Sequence, residues 1–144
     1  MFRLTYASRS NPILDGAEVY SLLATSKRNN KEHELTGVLL YGQGYFLQVL
    51  EGGRDEVNRV FQRIVADQRH HDVRIIEAVN TGGREFSEWS MEIIGWPDEV
   101  DSRMMKILRE TTGEEKLHPF KLDGSQVVSF LKRLVKLDGL LGRL

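Results

Sequence analysis

The chain has 144 residues, 40% hydrophobic and 28% charged, which suits one globular domain with a substantial core. A formal charge of -1 gives no bulk basic field for a nucleic-acid backbone or an anionic membrane, and the lack of cysteine excludes disulfides, thiolate metal sites and thiol nucleophiles. No apolar run approaches the roughly 18 residues that span a bilayer and the N-terminus lacks an apolar signal core, so a soluble, cytoplasmic protein is expected, without nucleic acid or membrane as partner.

Residues 2–8, FRLTYAS, place Phe2, Leu4, Tyr6 and Ser8 on one face, the period of a strand. Asp15 with Glu18 resembles a capping box, and Val19, Leu22 and Leu23 form the apolar stripe of a helix that ends near Asn29 and Asn30. Strands follow over 35–41 and 45–51, joined through Gly42-Gln43-Gly44, whose glycines suit a tight hairpin. Val57, Val60, Phe61, Ile64 and Val65 recur at helical spacing, which predicts a second helix to about Asp67. VRIIEAVN and SEWSMEIIG supply two further strands around TGGREF, and two amphipathic stretches close the chain, one with Val100, Met104, Ile107 and Leu108, the other SQVVSFLKRLVKL.

This order predicts an α/β (α+β) ferredoxin-like βαββαββ sandwich. It has a mixed five-stranded sheet, two helices on one face and two C-terminal helices. The division expected is a core over 1–94 and a helical extension over 95–144, packed on the sheet or on a partner.

In YFLQVLE, residues 45–51, Phe46, Gln48 and Leu50 point opposite to Leu47 and Val49, and both sets are apolar around the amide, so both sheet faces need a cover. The first two helices are expected over the Gln48 face and the C-terminal pair over the other. A buried amide without partners costs about 1 to 3 kcal/mol, so Gln48 needs one, and Tyr6 is at hand. A tyrosine and a glutamine can pair in a core for mutual satisfaction alone, and Trp89 and Met91 can be filler there. Polar groups at the ends of both helices, RNN over 28–30 and Arg63, Asp67 and RHH over 69–71, suggest instead a cleft with an apolar floor, where Leu22 and Ile64 could sandwich a flat ring.

Other patterns compete. Arg9 with Asn30 could bind a phosphate and a water in an acylphosphatase-like enzyme, and the sheet could bind single-stranded RNA if one face were bare. The adjacent histidines of RHHD do not converge on one ion, and no metal site is expected. YGQGYF lacks the third glycine of a dinucleotide motif. The leucines of KLDGLLGRL could mark a protein contact.

Taken together, LTYAS, RNNKEHELTGVLLYGQGYFLQVLEG, VFQRIVADQRHHDVRIIEA and REFSEWSM resemble the BLUF domain, a blue-light sensor that uses FAD, over roughly residues 1–94, in the short stand-alone form. The resemblance implies a photoreceptor rather than an enzyme, with a flavin ring between the first two helices. FAD is the implied cofactor, with FMN or riboflavin as possible substitutes. It implies a photoactive Tyr6 and a switching Gln48, with Trp89, Met91 and Ser8 beside them. Asn30 would hold the polar edge of the ring, with Asn29, Arg63, Asp67 and His70 as lesser contacts and Leu22, Ile64 and Phe46 as walls. The implied signal is a light-driven electron and proton transfer that rearranges hydrogen bonds among Tyr6, Gln48 and the flavin. The implied output is a change in protein association, as a homo-oligomer or with a downstream effector.

Overall fold

The computed structural model describes residues 1–12, 16–87 and 91–140. Strand β1 (Phe2–Ser10) leads to helix α1 (Gly16–Glu32), the hairpin β2 (Thr36–Gly42) and β3 (Tyr45–Gly52), helix α2 (Arg54–Ala66), and strands β4 (His70–Asn80) and β5 (Glu92–Gly95). Helices α3 (Ser102–Thr112) and α4 (Gly124–Leu140) follow, with a 3-10 turn at Pro119–Lys121 between them. The sheet order is β4-β1-β3-β2-β5, parallel at β2/β5 and antiparallel at the other junctions. Two βαβ units therefore interleave, as expected for the ferredoxin-like fold, and β5 extends the β2 edge.

Strand alternation divides the core in two. On the Gln48 face, Leu4, Tyr6, Leu39, Phe46, Leu50 and Met91 pack with Val57 and Val60 of α2, and Leu22, Leu23, Phe61 and Ile64 close over them. On the other face, Ala7, Val38, Leu40, Leu47, Val49 and Ile94 pack with Ile107 and Leu108 of α3 and with Val127, Phe130, Leu131 and Leu134 of α4. Each fully buried Leu or Phe contributes about 1.5–3 kcal/mol, so both helix pairs are held by the sheet rather than by their own propensity. Both faces are covered, which removes the bare platform that RNA stacking requires.

The hairpin turns on Gln43 and Gly44, both at positive φ (50° and 85°), the geometry that matches the twist of the flanking strands. At Gly42 an added Cβ would lie 1.8 Å from the Trp96 carbonyl oxygen, so the absence of a side chain lets β2 and the chain after β5 approach. There the Trp96 N–H donates to Tyr41 O at 2.8 Å.

Several boundaries differ from the sequence expectations. Strand β4 starts at His70 rather than Val73, because His70 and His71 pair with Ser10 and Arg9; a bulge in that ladder and a positive φ at Asp72 (53°) hide the alternation. The histidines therefore open a strand instead of ending a helix. Helix α1 continues to Glu32, and its end is tied by His33 N–H to Asn29 O (3.1 Å) and Leu35 N–H to Asn30 O (2.8 Å). The β5 ladder with β2 spans Glu92–Gly95, and residues 88–90 of the expected strand 87–95 lie outside the described residues. Asp15 of the expected capping box, Trp89 and the final residues 141–144 lie outside the described residues. Among the described residues no helix is long and apolar enough to cross a membrane.

Candidate functional site

Register brings the central pair together. Tyr6 on β1 is directly opposite Gln48 on β3, and Leu39 on β2 flanks Gln48 from the other side. The Tyr6 hydroxyl donates to Gln48 Oε1 in a hydrogen bond between two buried residues. Burial, reinforced by the negative charge of Asp67, pushes the Tyr6 phenol well above the ordinary tyrosine value. Its proton therefore stays on the oxygen at neutral pH and points to the amide. Gln48 Nε2 lies 3.5 Å from Met91 Sδ. A thioether is a weak acceptor for an amide nitrogen with two N–H groups, so the donor side of Gln48 is under-served while its oxygen accepts from Tyr6.

A second polar relay stands beside the first. His70 sets one ring nitrogen against the Ile64 carbonyl at the end of α2 and the other 2.7 Å from Ser8 Oγ. A carbonyl only accepts, so Nε2 carries the hydrogen, and in the neutral ring Nδ1 accepts from the Ser8 hydroxyl. Phe46 meets the His70 ring edge-on at 5.9 Å between centroids, and Phe61 lies 5.6 Å from the Tyr6 ring, fixing these polar groups in an apolar frame.

Above them is a cleft between α1 and α2. Its first lobe, about 30 Å³, is lined by Tyr6, Leu22, Leu39, Phe46, Gln48 and His70; the second, about 70 Å³, by Asn29, Asn30, Val60 and Arg63. Leu22, Ser26, Gln48, Ile64, Asp67 and Arg69 border both. Asn30 is buried, yet its Nδ2 has no hydrogen-bond partner. An orphaned buried donor of this kind costs about 1–3 kcal/mol, which marks where a ligand acceptor would be welcome. Between the lobes Arg69 grips Asp67 with Nη2 to Oδ2 at 2.6 Å and Nε to Oδ1 at 2.9 Å. That guanidinium hydrogen bond holds the Asp67 carboxyl below the usual carboxylate range. The Asp67–Arg69 pair borders both lobes.

The structure thus gathers Tyr6, Gln48, Asn30, Asn29, Arg63, Asp67, His70, Leu22, Ile64 and Phe46 around one cleft. Ser8 joins through His70, and Met91 lies beneath Gln48. Sequence reading missed Ser26 and Leu39, and it placed Arg69 only in the polar RHH cluster, without its partner Asp67. The register Leu39↔Gln48 could have found Leu39, whereas the grip of Arg69 on Asp67 is visible only once β4 is seen to start at His70. The phosphate site of the rival enzyme has no basis here. Arg9 lies on the opposite sheet face, 3.7 Å from Asp72 and over the rings of Tyr45 and Phe120, away from Asn30. A wider groove of about 620 Å³ runs beside β5, lined by Ile94, Trp96, Met104, Leu134 and Leu137. Its walls are mainly apolar and it gathers none of the polar groups above, so the smaller cleft is the better candidate.

Comparison with known proteins points the same way. The family model for sensors of blue light using FAD, BLUF, matches residues 1–92. The beta subunit of photoactivated adenylate cyclase of Euglena gracilis is 34% identical over 89 residues, 61% of this chain but 10% of the cyclase subunit. The blue light- and temperature-regulated antirepressor BluF of Escherichia coli is 26% identical over 76 residues, 53% of this chain and 19% of that protein. The chain thus spans a minor part of these curated relatives. Among solved structures, BlsA in its photo-activated state superposes with a TM-score of 0.81 at 27% identity, covering 92% of this chain and 93% of that one. The dark-state structure of BlrB gives 0.72 at 29% identity, with 93% of each chain covered.

Proposed function

Because the chain belongs to the BLUF family, sensors of blue light using FAD, we propose that it holds the flavin non-covalently between α1 and α2 and reads light through Tyr6 and Gln48. The donor set fits such a group. Asn30, Asn29, Arg63, Asp67 and His70 would serve the polar edge of the ring, while Leu22, Ile64 and Phe46 would face its planes. All of these contacts are to the ring, which supports tolerance of FMN or riboflavin beside FAD.

When bound, the flavin supplies the chromophore and, once excited, a strong one-electron oxidant. Tyr6 is the donor within reach, and a phenol that loses an electron must lose its proton. The hydrogen bond already in place would send that proton to Gln48 Oε1, and the amide would release one from Nε2, on its under-served side, to the bound ring. Once the electron and a proton have both returned to Tyr6, Gln48 would settle rotated or as its imidic tautomer. The stored signal is the direction of hydrogen bonds at position 48, and no covalent bond forms.

The observation that carries this reading is the buried Tyr6–Gln48 bond facing a cleft whose deepest amide, Asn30, lacks a partner. On this reading the protein is a receptor and not an enzyme. Residues 1–94 form the sensing core, and 95–144 pass its state on by association with a second copy or an effector. Gln48→Leu should leave a yellow, flavin-bound protein whose absorption does not shift under blue light. A reversible shift of wild-type size in that variant would contradict the relay.

A further inference from the structure

Glu51 is fully buried on the sheet face opposite Gln48, on the same strand, and the proposed photochemistry leaves it unused. Its carboxylate accepts from two backbone N–H groups of the segment that crosses from β4 to β5, one of them shared between both oxygens. Glu85 donates at 3.0 and 2.9 Å to the two oxygens, and Phe86 donates at 2.8 Å to Oε1. An ionised carboxylate offers acceptors only, which matches a row of donors. The nearest cation is Arg3, whose Nη1 is 4.0 Å from Oε2 and whose Nη2 donates to Glu77 at 3.2 Å.

Arg84 adds a second tether to the same strand end. It donates to the Glu51 backbone carbonyl at 2.9 Å, to Thr36 Oγ1 at 2.8 Å and to Glu34 O at 2.9 Å. On the far side the segment grips α4. Phe86 is buried in the cluster that contains Val127, Phe130 and Leu131, and the Glu85 carboxylate accepts from Lys132 Nζ at 2.7 Å. The chain then runs on to Met91, whose sulfur touches Gln48 Nε2. Residues 84–86 are thus tied to the switching strand, to α4 and, along the chain, to the residue under the switch. Among other attachments of the C-terminal part, Phe120 beneath Arg9 and Arg74 sits at the opposite end of β1, and Gln43 Nε2 donates to Pro97 O at 2.9 Å.

We propose that Glu51 is a positioning residue of the light response. Its carboxylate fixes the 84–86 segment to β3, so that a displacement of Met91 by Gln48 is delivered to α4 instead of being absorbed in a slack loop. This rests on the light-sensing reading above. Transmission between sites requires an element tied to both, and residues 84–86 are tied to β3 and to α4.

The test uses the full chain loaded with FAD, comparing wild type with Glu51→Gln, which keeps the shape but turns one acceptor into a donor facing N–H groups. In the dark, the Glu85 and Phe86 amides of the variant should exchange about tenfold faster, the consequence of losing charge-assisted bonds. Under blue light the variant should keep its red shift, while the light-minus-dark exchange difference over residues 127–135 shrinks about threefold or more. Should Glu51→Gln fail to fold, Arg84→Met, at a partly exposed position, removes the other tether and is expected to uncouple in the same way. A red shift in wild type with no exchange response in α4, or a response in the variants equal to wild type, overturns the role of Glu51 alone. Absence of any red shift in wild type overturns the light-sensing reading beneath it.

Discussion

Strand β3 presents two buried faces with different finish. On one side Gln48 shares a cleft with an orphaned amide, a raised phenol and a thioether standing in for a proper acceptor. On the other, Glu51 has its donors at hydrogen-bond distance, and Leu47 and Val49 are sealed under α3 and α4. Both faces carry unpaired buried groups, Asn30 Nδ2 on the first and Arg3 Nε and Thr5 Oγ1 on the second. What sets Asn30 apart is that it lines a cleft together with Gln48, which marks that face as the one that awaits a ligand. Substitutions on the two sides should therefore separate stability from photochemistry.

The largest separation is expected at Phe130, fully buried against the sheet. Phe130→Ala should lower unfolding free energy by about 3–5 kcal/mol in denaturant titration, from lost transfer energy and the cavity left behind. At temperatures where it is folded, the light-induced absorption shift should persist. Loss of the shift in a folded variant would show that the faces are not separable in this way.

Next is Asn30→Ala. Its Nδ2 has no protein partner, so the ligand-free fold should lose little, while flavin affinity should fall by the value of one hydrogen bond to a buried donor, about 1–3 kcal/mol, or roughly 5- to 150-fold. Flavin content on purification and a titration of the apoprotein measure this. Unchanged occupancy would take Asn30 out of the site.

Ser8→Ala removes the hydroxyl that reaches His70, and should cost about 0.5–1.5 kcal/mol in the same denaturant assay. It should leave the size of the red shift intact, since Tyr6 and Gln48 keep their bond. Smallest of all is Lys132→Ala, which breaks an ion pair whose side chains are 43% and 41% exposed. Such pairs are worth about 0–1 kcal/mol, and the difference from wild type should vanish at high salt.

The fold was legible because its signals are local. Alternation in residues 2–8 and 45–51, helical spacing from Val57 to Ile64 and the Gln43-Gly44 turn each specify an element without reference to the rest. The face assignment of Gln48 came from the same alternation. Legibility failed where backbone irregularity intervened: the bulge and positive φ near Asp72 conceal the start of β4, and with it the placing of Arg69 against Asp67. Glu51 was missed for a different reason. It closes the quoted strand as an acidic residue before two glycines, which reads as a strand end in water, yet residues 84–86 fold back over it from far along the chain. A same-face reading with Leu47 and Val49 could have flagged it. Asn29, Asn30, Arg63 and Asp67 were legible as polar groups at the ends of two helices, but their roles toward a flavin came only through family resemblance, since residue chemistry alone was also served by a tyrosine and a glutamine satisfying each other in a core.

The most direct test of the Tyr6–Gln48 account is the absorption spectrum of the flavin-loaded protein before and after blue light, in wild type and in Tyr6→Phe. The account predicts a yellow protein in both, with a reversible red shift in wild type and none in Tyr6→Phe. A wild-type protein that stays colourless with flavin supplied, or a Tyr6→Phe protein that shifts as fully as wild type, would contradict it.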